Sequence, residues 1–255
     1  MSYQNILVET KDGAATITIN RPPVNVMNIA TMREMGAAIK DRLADPGVKI
    51  LVITASGNRA FSAGVDVGDH VPERMRDMLD SFDSIISSLL YSEKLTLAVV
   101  NGMALGGGRE VCLCCDMVLA SEKAVFAAPE KKLGMFAGVG AIHLPRLAPM
   151  RKAIEIICSG DNISAREAEM AGIVNKVVPA ESLEAEKAKF IARFTANSGI
   201  AMKMAKKTVT SGYMREIKDA MHEGEKIYEE LMKTEDAHEG MKAFMEKRKP
   251  VWKNR

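Results

Sequence analysis

Asn101-Gly102-Met103-Ala104-Leu105-Gly106-Gly107-Gly108-Arg109-Glu110 separates two apolar runs, residues 95–100 and 111–120. Three consecutive glycines between a strand and a helix let the backbone approach a ligand closely, with its N–H groups pointing outward. Glu110 falls in the first helical turn, ahead of Val111-Cys112-Leu113-Cys114-Cys115. A carboxylate heading so apolar a run is poorly hydrated, which raises its pKa. The stretch therefore predicts proton chemistry beside a backbone anion site. A plainer reading fits it too: a tight glycine turn before a buried helix, with Glu110 complementing the helix dipole.

On the N-terminal side, residues 6–9 and 14–20 are β-type runs joined by the hairpin signal Lys11-Asp12-Gly13, and Arg21-Pro22-Pro23 ends the second. Thr31-Met32-Arg33-Glu34 reads as a capping box for a helix with Met32, Met35, Ala38, Ile39 and Leu43 on its apolar face, stopped by Asp45-Pro46-Gly47. Residues 48–54 form a nearly continuous apolar strand of the kind buried on both faces, followed by a polar loop over 55–64. Pro72 opens a helix whose stripe, Met75, Met78, Leu79, Phe82, Ile85, Ile86 and Leu89, predicts packing on the core rather than the lining of a pocket.

On the C-terminal side, residues 116–121 and 124–127 are strands, and Pro129-Glu130-Lys131-Lys132-Leu133-Gly134 leaves the second. On spacing alone Glu130 is a surface acid paired with Lys131 or Lys132. Gly138 and Gly140 lead into a helix near 142–147. Beyond Met150 the pattern is largely helical. Ser164-Ala165-Arg166-Glu167 is a second capping box, Gly172 a stop, residues 173–178 a last strand, and helices are expected near 182–196, 198–211, 215–232 and 235–247. Lys203, Lys206 and Lys207 read as a solvated helix face, as do Lys242, Lys247 and Arg248. The succession implies an α/β core over residues 1–195 and a helical region over 196–255.

Composition narrows the function classes. The chain has 255 residues, 47% of them hydrophobic, and its net charge of +2 supplies no field for nucleic acid or an anionic membrane. No apolar run reaches the length of a membrane helix, and the first residues lack a signal-peptide pattern, so a soluble cytoplasmic protein is expected. Cys112, Cys114 and Cys115 crowd one predicted helix and Cys158 stands alone, with no partner ligands at metal spacing. They read as small hydrophobes, and no metal site is expected.

Several separated pieces then align in one pattern: Asn20-Arg21-Pro22, Ala60-Phe61-Ser62-Ala63-Gly64-Val65-Asp66, the glycine stretch with Glu110 and Asp116, Pro129-Glu130 with Leu133-Gly134, and Phe244-Met245-Glu246-Lys247-Arg248. On these the chain resembles the crotonase, or enoyl-CoA hydratase/isomerase, family over nearly its whole length. The resemblance implies a spiral of strand-strand-helix units, a helical C-terminal region used in trimer contacts, a homotrimer or a hexamer of two trimers, and acyl-CoA thioester ligands. By position, Ala63 and Gly107 look like the oxyanion-hole amides, Glu110 and Glu130 like the two catalytic carboxylates, and Gly138 like the backbone position that holds the attacking water. No cofactor is implied beyond the coenzyme A of the substrate. Having both acids points to hydration. The alternatives are a double-bond isomerase that uses Glu130 alone and an acyl-CoA-binding scaffold without activity.

The run Gly64-Val65-Asp66-Val67-Gly68-Asp69-His70-Val71-Pro72-Glu73-Arg74, with Leu133-Gly134-Met135-Phe136-Ala137, is most similar to cyclohexa-1,5-diene-1-carbonyl-CoA hydratases of anaerobic benzoyl-CoA degradation. Many family members carry Pro-Gly-x-Gly-Gly where this chain has Ala137-Gly138-Val139-Gly140-Ala141, and Ala141 argues against a straight-chain enoyl group. Arg109 is an unusual neighbour for the first glutamate. Arg59, Asp66, His70 and Lys247 are further candidates for contacts to the acyl group or to CoA.

Overall fold

The hairpin signal is realised at the start of the chain: Asp12 and Gly13 both take positive φ, 49° and 79°, and join β1 (Ile6–Lys11) to β2 (Ala14–Ile19) in antiparallel pairing. The structure, a computed structural model, describes residues 3–210 and 232–251, together with Ile217, Asp219, Met221 and Glu229. The helix expected near 215–232 falls almost wholly outside the described residues.

Helix α1 (Ile29–Ala44) begins earlier than expected. Asn28 caps it by accepting from the Thr31 amide at 2.9 Å, while Glu34 turns away to accept from the Asn5 amide at 2.8 Å. Thr31 and Glu34 thus form no capping box, because asparagine is the better cap and Glu34 is engaged in pinning the edge of β1. The second box is real. Ser164 and Glu167 bond each other's backbone at the start of α6 (Ala165–Met170).

From β3 (Ile50–Ala55) onward the chain repeats one move, a long strand, then a short one, then a helix. The units are β3, β4 (Ala60–Ser62) and α2 (Pro72–Leu90); β5 (Leu95–Val100), β6 (Met103–Leu105) and α3 (Gly107–Leu113); and β7 (Met117–Ser121), β8 (Val125–Ala127) and, after a 3₁₀ turn over Pro129–Leu133, α4 (Gly138–Leu147). The long strands join β1, β2 and β10 (Lys176–Val178) in a six-stranded sheet of order β1-β2-β3-β5-β7-β10, parallel from β2 onward. The short strands form a second sheet of order β4-β6-β8-β9, where β9 is Ile163–Ser164. This is the strand-strand-helix spiral. Strands β4 and β6 escape a sequence reading because three residues of mixed polarity show no period.

Every residue of β3 is buried, since the large sheet is covered on both faces. Met32, Met35, Phe82, Ile85 and Val111 pack on one side. Leu183 and Phe190 of α7 (Leu183–Thr195) cover Ile50, Val52, Leu97 and Val99 on the other. Cys112, Cys114 and Cys115 lie buried as free thiols, only the first of them within the helix, while Cys158 on α5 (Met150–Ser159) is exposed.

The lysine face on α8 (Gly199–Thr210) is only partly solvated. Lys206 is 8% exposed and its ammonium reaches the Asp116 carboxylate at 2.6 Å and the Lys94 carbonyl at 2.8 Å. Asp116 also accepts from the Thr96 amide at 2.7 Å. The pairing holds α8 against the end of the large sheet, a use that helical spacing alone does not reveal. At the C-terminus, α9 (Glu235–Met245) lies on the 3₁₀ turn so closely that a Cβ at Gly240 would overlap the Leu133 carbonyl. Glycine inside a helix costs about 1 kcal/mol relative to alanine. Here it permits the contact that braces the turn carrying Glu130. Arg248 pairs with Glu239 and Glu246, and Lys242 and Lys247 are exposed. Among the described residues no helix is long and apolar enough to cross a membrane.

Candidate active site

In the small sheet β4, β6 and β8 run parallel, so their carboxyl ends lie side by side. The chain leaves β4 through Ala63-Gly64-Val65, β6 through Gly106-Gly107 into α3, and β8 through Pro129-Glu130. Ligands bind beyond such ends because the departing loops leave N–H groups and side chains there. All these residues line one cavity of about 410 Å³, with Gly138 and Val139 at the start of α4 closing it.

The two glutamates meet in that cavity. Glu110 is 5% exposed, and its Oε1 accepts from the Gly140 amide at 2.7 Å. Burial pushes its pKa up, against the Gly140 hydrogen bond and the Arg109 charge. Glu130 Oε1 lies 2.9 Å from where a Cβ of Gly106 would sit. Burial, with Glu110 beside it, pushes Glu130 up to about 7. The lysine pairing open to Glu130 on spacing is not what the fold makes. Its Oε2 is buried with no hydrogen-bond partner among the described residues, which favours the protonated form.

The amide pair differs from expectation. The Ala63 N–H donates to the Val24 carbonyl at 2.9 Å and is not available to a ligand, although Ala63 lines the cavity. The next amide without a partner is that of Val65. The bridge to Met27 uses the carbonyl of Gly64 and the amide of Asp66, leaving the Val65 N–H without an acceptor among the described residues. Gly107 is the first residue of α3, where no carbonyl precedes to accept its N–H. The two loops touch. A Cβ at Gly107 would lie 2.8 Å from Val65 Cγ2, and one at Gly64 would lie 3.6 Å from the Gly107 nitrogen. The resemblance pointed to Ala63, two residues before the amide that the fold leaves free, because alternation along a loop cannot be read from residue type.

The remaining candidates divide. His70 lines the cavity, and its Nδ1–H donates to the Asp66 carbonyl at 2.9 Å, leaving Nε2 as an acceptor. Burial lowers its pKa, so the ring is neutral. Asp66 lies outside the cavity lining, where its carboxylate accepts from the Gly68 amide at 3.0 Å and pairs with Arg21 at 3.9 Å. Arg59 is exposed beyond the lining, and its carbonyl accepts from the Met103 amide. Lys247 is exposed past the end of α9. Within one chain neither basic side chain reaches the cavity.

The apolar wall is built by Met78, Leu79 and Phe82 of α2 with Met135, Phe136 and Ile142. The stripe on α2 therefore serves both core and cavity. Ala141, one position from Ile142, is not part of the lining, so its side chain does not shape the acyl space. Further along α2 the wall turns polar at Asp83, Ser87 and Tyr91, with Ser87 donating to Asp83 at 3.0 Å.

Comparison with known proteins agrees with this geometry. Residues 9–255 match the family described as enoyl-CoA hydratase/isomerase. The chain is 35% identical to a crotonyl-CoA hydratase of Syntrophomonas wolfei, covering 98% of both chains. It is 34% identical to a short-chain-enoyl-CoA hydratase of Clostridium acetobutylicum, over 98% of this chain and 97% of that one. Among solved structures, an enoyl-CoA hydratase from Mycobacterium avium subsp. paratuberculosis superposes with a TM-score of 0.90 at 27% identity, covering 99% of this chain and all of the other. With the spiral, the glutamate pair and an agreement that runs nearly end to end, the chain belongs to the enoyl-CoA hydratase/isomerase family of enzymes.

Proposed function

We propose that the enzyme adds water to an α,β-unsaturated acyl-CoA thioester. The observation that carries this reading is the convergence of Glu110 and Glu130 in one cavity opposite the unengaged amides of Val65 and Gly107. The thioester oxygen accepts from the two amides, each such donor being worth about 3 kcal/mol as enolate charge develops. Ionised Glu110 takes a proton from water, the hydroxide carbon–oxygen bond forms at Cβ, and protonated Glu130 delivers its proton to Cα. Gly138, at the mouth of α4, orients the water. Exchange with solvent then returns a proton to Glu130 and removes one from Glu110. Arg59 and Lys247 would serve CoA only across an assembly, through self-association of residues 196–255. Exposed Ile200, Met204, Phe244 and Met245 give that region apolar surface for it.

The proton inventory sets a pH dependence. Glu130 acts as an acid, so hydration falls as pH rises through about 7, and it falls on the acid side as Glu110 becomes protonated. A bell-shaped kcat profile is expected. A profile that keeps rising above neutrality would remove Glu130 as the acid.

For the acyl group we propose a cyclic diene, cyclohexa-1,5-diene-1-carbonyl-CoA, hydrated to a hydroxycyclohexene thioester. The stretch from Gly64 to Arg74 and the broad apolar wall of Met78, Leu79, Phe82, Met135 and Phe136 support it. Crotonyl-CoA and the cyclic dienoyl-CoA, offered in parallel and followed by loss of conjugated absorbance, test the choice. Faster turnover of the cyclic substrate is expected. Turnover of the linear one alone would make the enzyme a short-chain hydratase, and turnover of neither would favour the scaffold reading.

A further inference from the structure

Arg109 is fully buried, and none of its three guanidinium nitrogens has a hydrogen-bond partner among the described residues. A cation without partners in an apolar interior is costly and is retained only where nearby negative charge compensates it. The compensating groups are Glu110 and Glu130, whose charges favour the guanidinium against the burial that disfavours it. The groups are neighbours, although no ion pair within 4.0 Å joins them. A Cβ at Gly140 would overlap the guanidinium and lie 3.4 Å from Glu110 Oε1, so both groups occupy one side of that residue. Arg109 does not line the cavity, which removes substrate binding as its purpose.

Resting on the hydratase reading, we propose that Arg109 is a positioning residue for the glutamate pair: its charge, sealed behind the cavity, decides that Glu110 is ionised while Glu130 keeps the proton. Arginine retains its charge in protein interiors, so with one glutamate ionised the triad is neutral. The geometry also says which glutamate that is. Glu110 shares the Gly140 side with the guanidinium and accepts from the Gly140 amide, whereas the buried Oε2 of Glu130 has no donor among the described residues. Among the described residues, the other titratable groups around the pair are the buried thiols of Cys112 and Cys114, held neutral by desolvation, the neutral rings of His70 across the cavity and His143 on α4, and Arg76, Asp83 and Tyr91 further along the cavity wall.

The test is an infrared pH titration of the ligand-free protein, with the carboxyl bands assigned by Glu110→Gln and Glu130→Gln. In the wild type the Glu110 band is expected as carboxylate at neutral pH and the Glu130 band as acid. In Arg109→Met, close in length but uncharged, the Glu110 midpoint should rise by about 1–3 pH units, the range an adjacent cation normally supplies. Arg109→Lys should restore most of that shift. Coincident midpoints in the wild type and a folded Arg109→Met protein would overturn the proposal. So would a protonated Glu110 in the wild type at neutral pH, a result that needs no arginine variant. The acid limb of kcat should move with the infrared midpoint. Because the infrared readout needs no turnover, failure to hydrate any enoyl-CoA would count against the hydratase reading alone.

Discussion

Glu110→Gln is expected to lower kcat for hydration by about 10²- to 10⁴-fold while leaving acyl-CoA affinity within a few-fold, because general-base catalysis contributes on that scale. Glutamine keeps an oxygen that can accept from the Gly140 amide, so the start of α4 stays in place while the ability to take a proton is lost. Steady-state kinetics and calorimetric titration with a saturated acyl-CoA separate the two quantities. Adding Glu130→Gln should cost little more, since groups that act as one unit lose their function once. A Glu110→Gln enzyme that kept most of its turnover would point to an isomerase reliant on Glu130.

Gly64→Ala is expected to cost about 10²- to 10³-fold in kcat, the loss typical of one misplaced oxyanion donor. Gly64 has φ +104°, a conformation that side-chain-bearing residues avoid, and a Cβ there would sit 3.0 Å from the Leu105 carbonyl. Leu105 is held by its strand pairing, so the peptide joining Gly64 to Val65 must turn and take the Val65 N–H off its line. Gly57 supplies the control. It also has positive φ, 78°, but nothing lies within 4 Å of its Cβ position, so Gly57→Ala carries backbone strain without touching the site. Thermal unfolding of both variants measures that strain. Normal turnover in a folded Gly64→Ala enzyme would remove Val65 from the site.

Patterns of short range carried much of the fold. The Asp12-Gly13 turn, the buried strand at Ile50–Ala55, the stripe on α2 and the Ser164 box all follow from local periodicity or capping chemistry, and each is found where its residues put it. The reading fails where two local rules compete or where length is too short for a period. Asn28 overrides Thr31 as a cap because Glu34 is drawn to β1, and β4 is three residues without alternation. Lys206 looked solvated on its helix, and the depth at which α8 meets Asp116 buries it.

The amino-acid sequence by itself determined the family pattern, the glycine entry to α3 and the place of Glu110 at the head of an apolar run, because these depend on residue type at fixed spacing. Only the tertiary structure decided which amide is free. Ala63 and Val65 are two positions apart on one loop, and the acceptor that engages the first is the carbonyl of Val24, some forty residues upstream. The structure likewise turned Glu130 from a candidate surface acid into the partner of Glu110, by setting the ends of β6 and β8 side by side. Arg109 is the clearest case. Its charge is plain in the sequence, but its effect comes from full burial without a hydrogen-bond partner among the described residues, a property of everything packed around it.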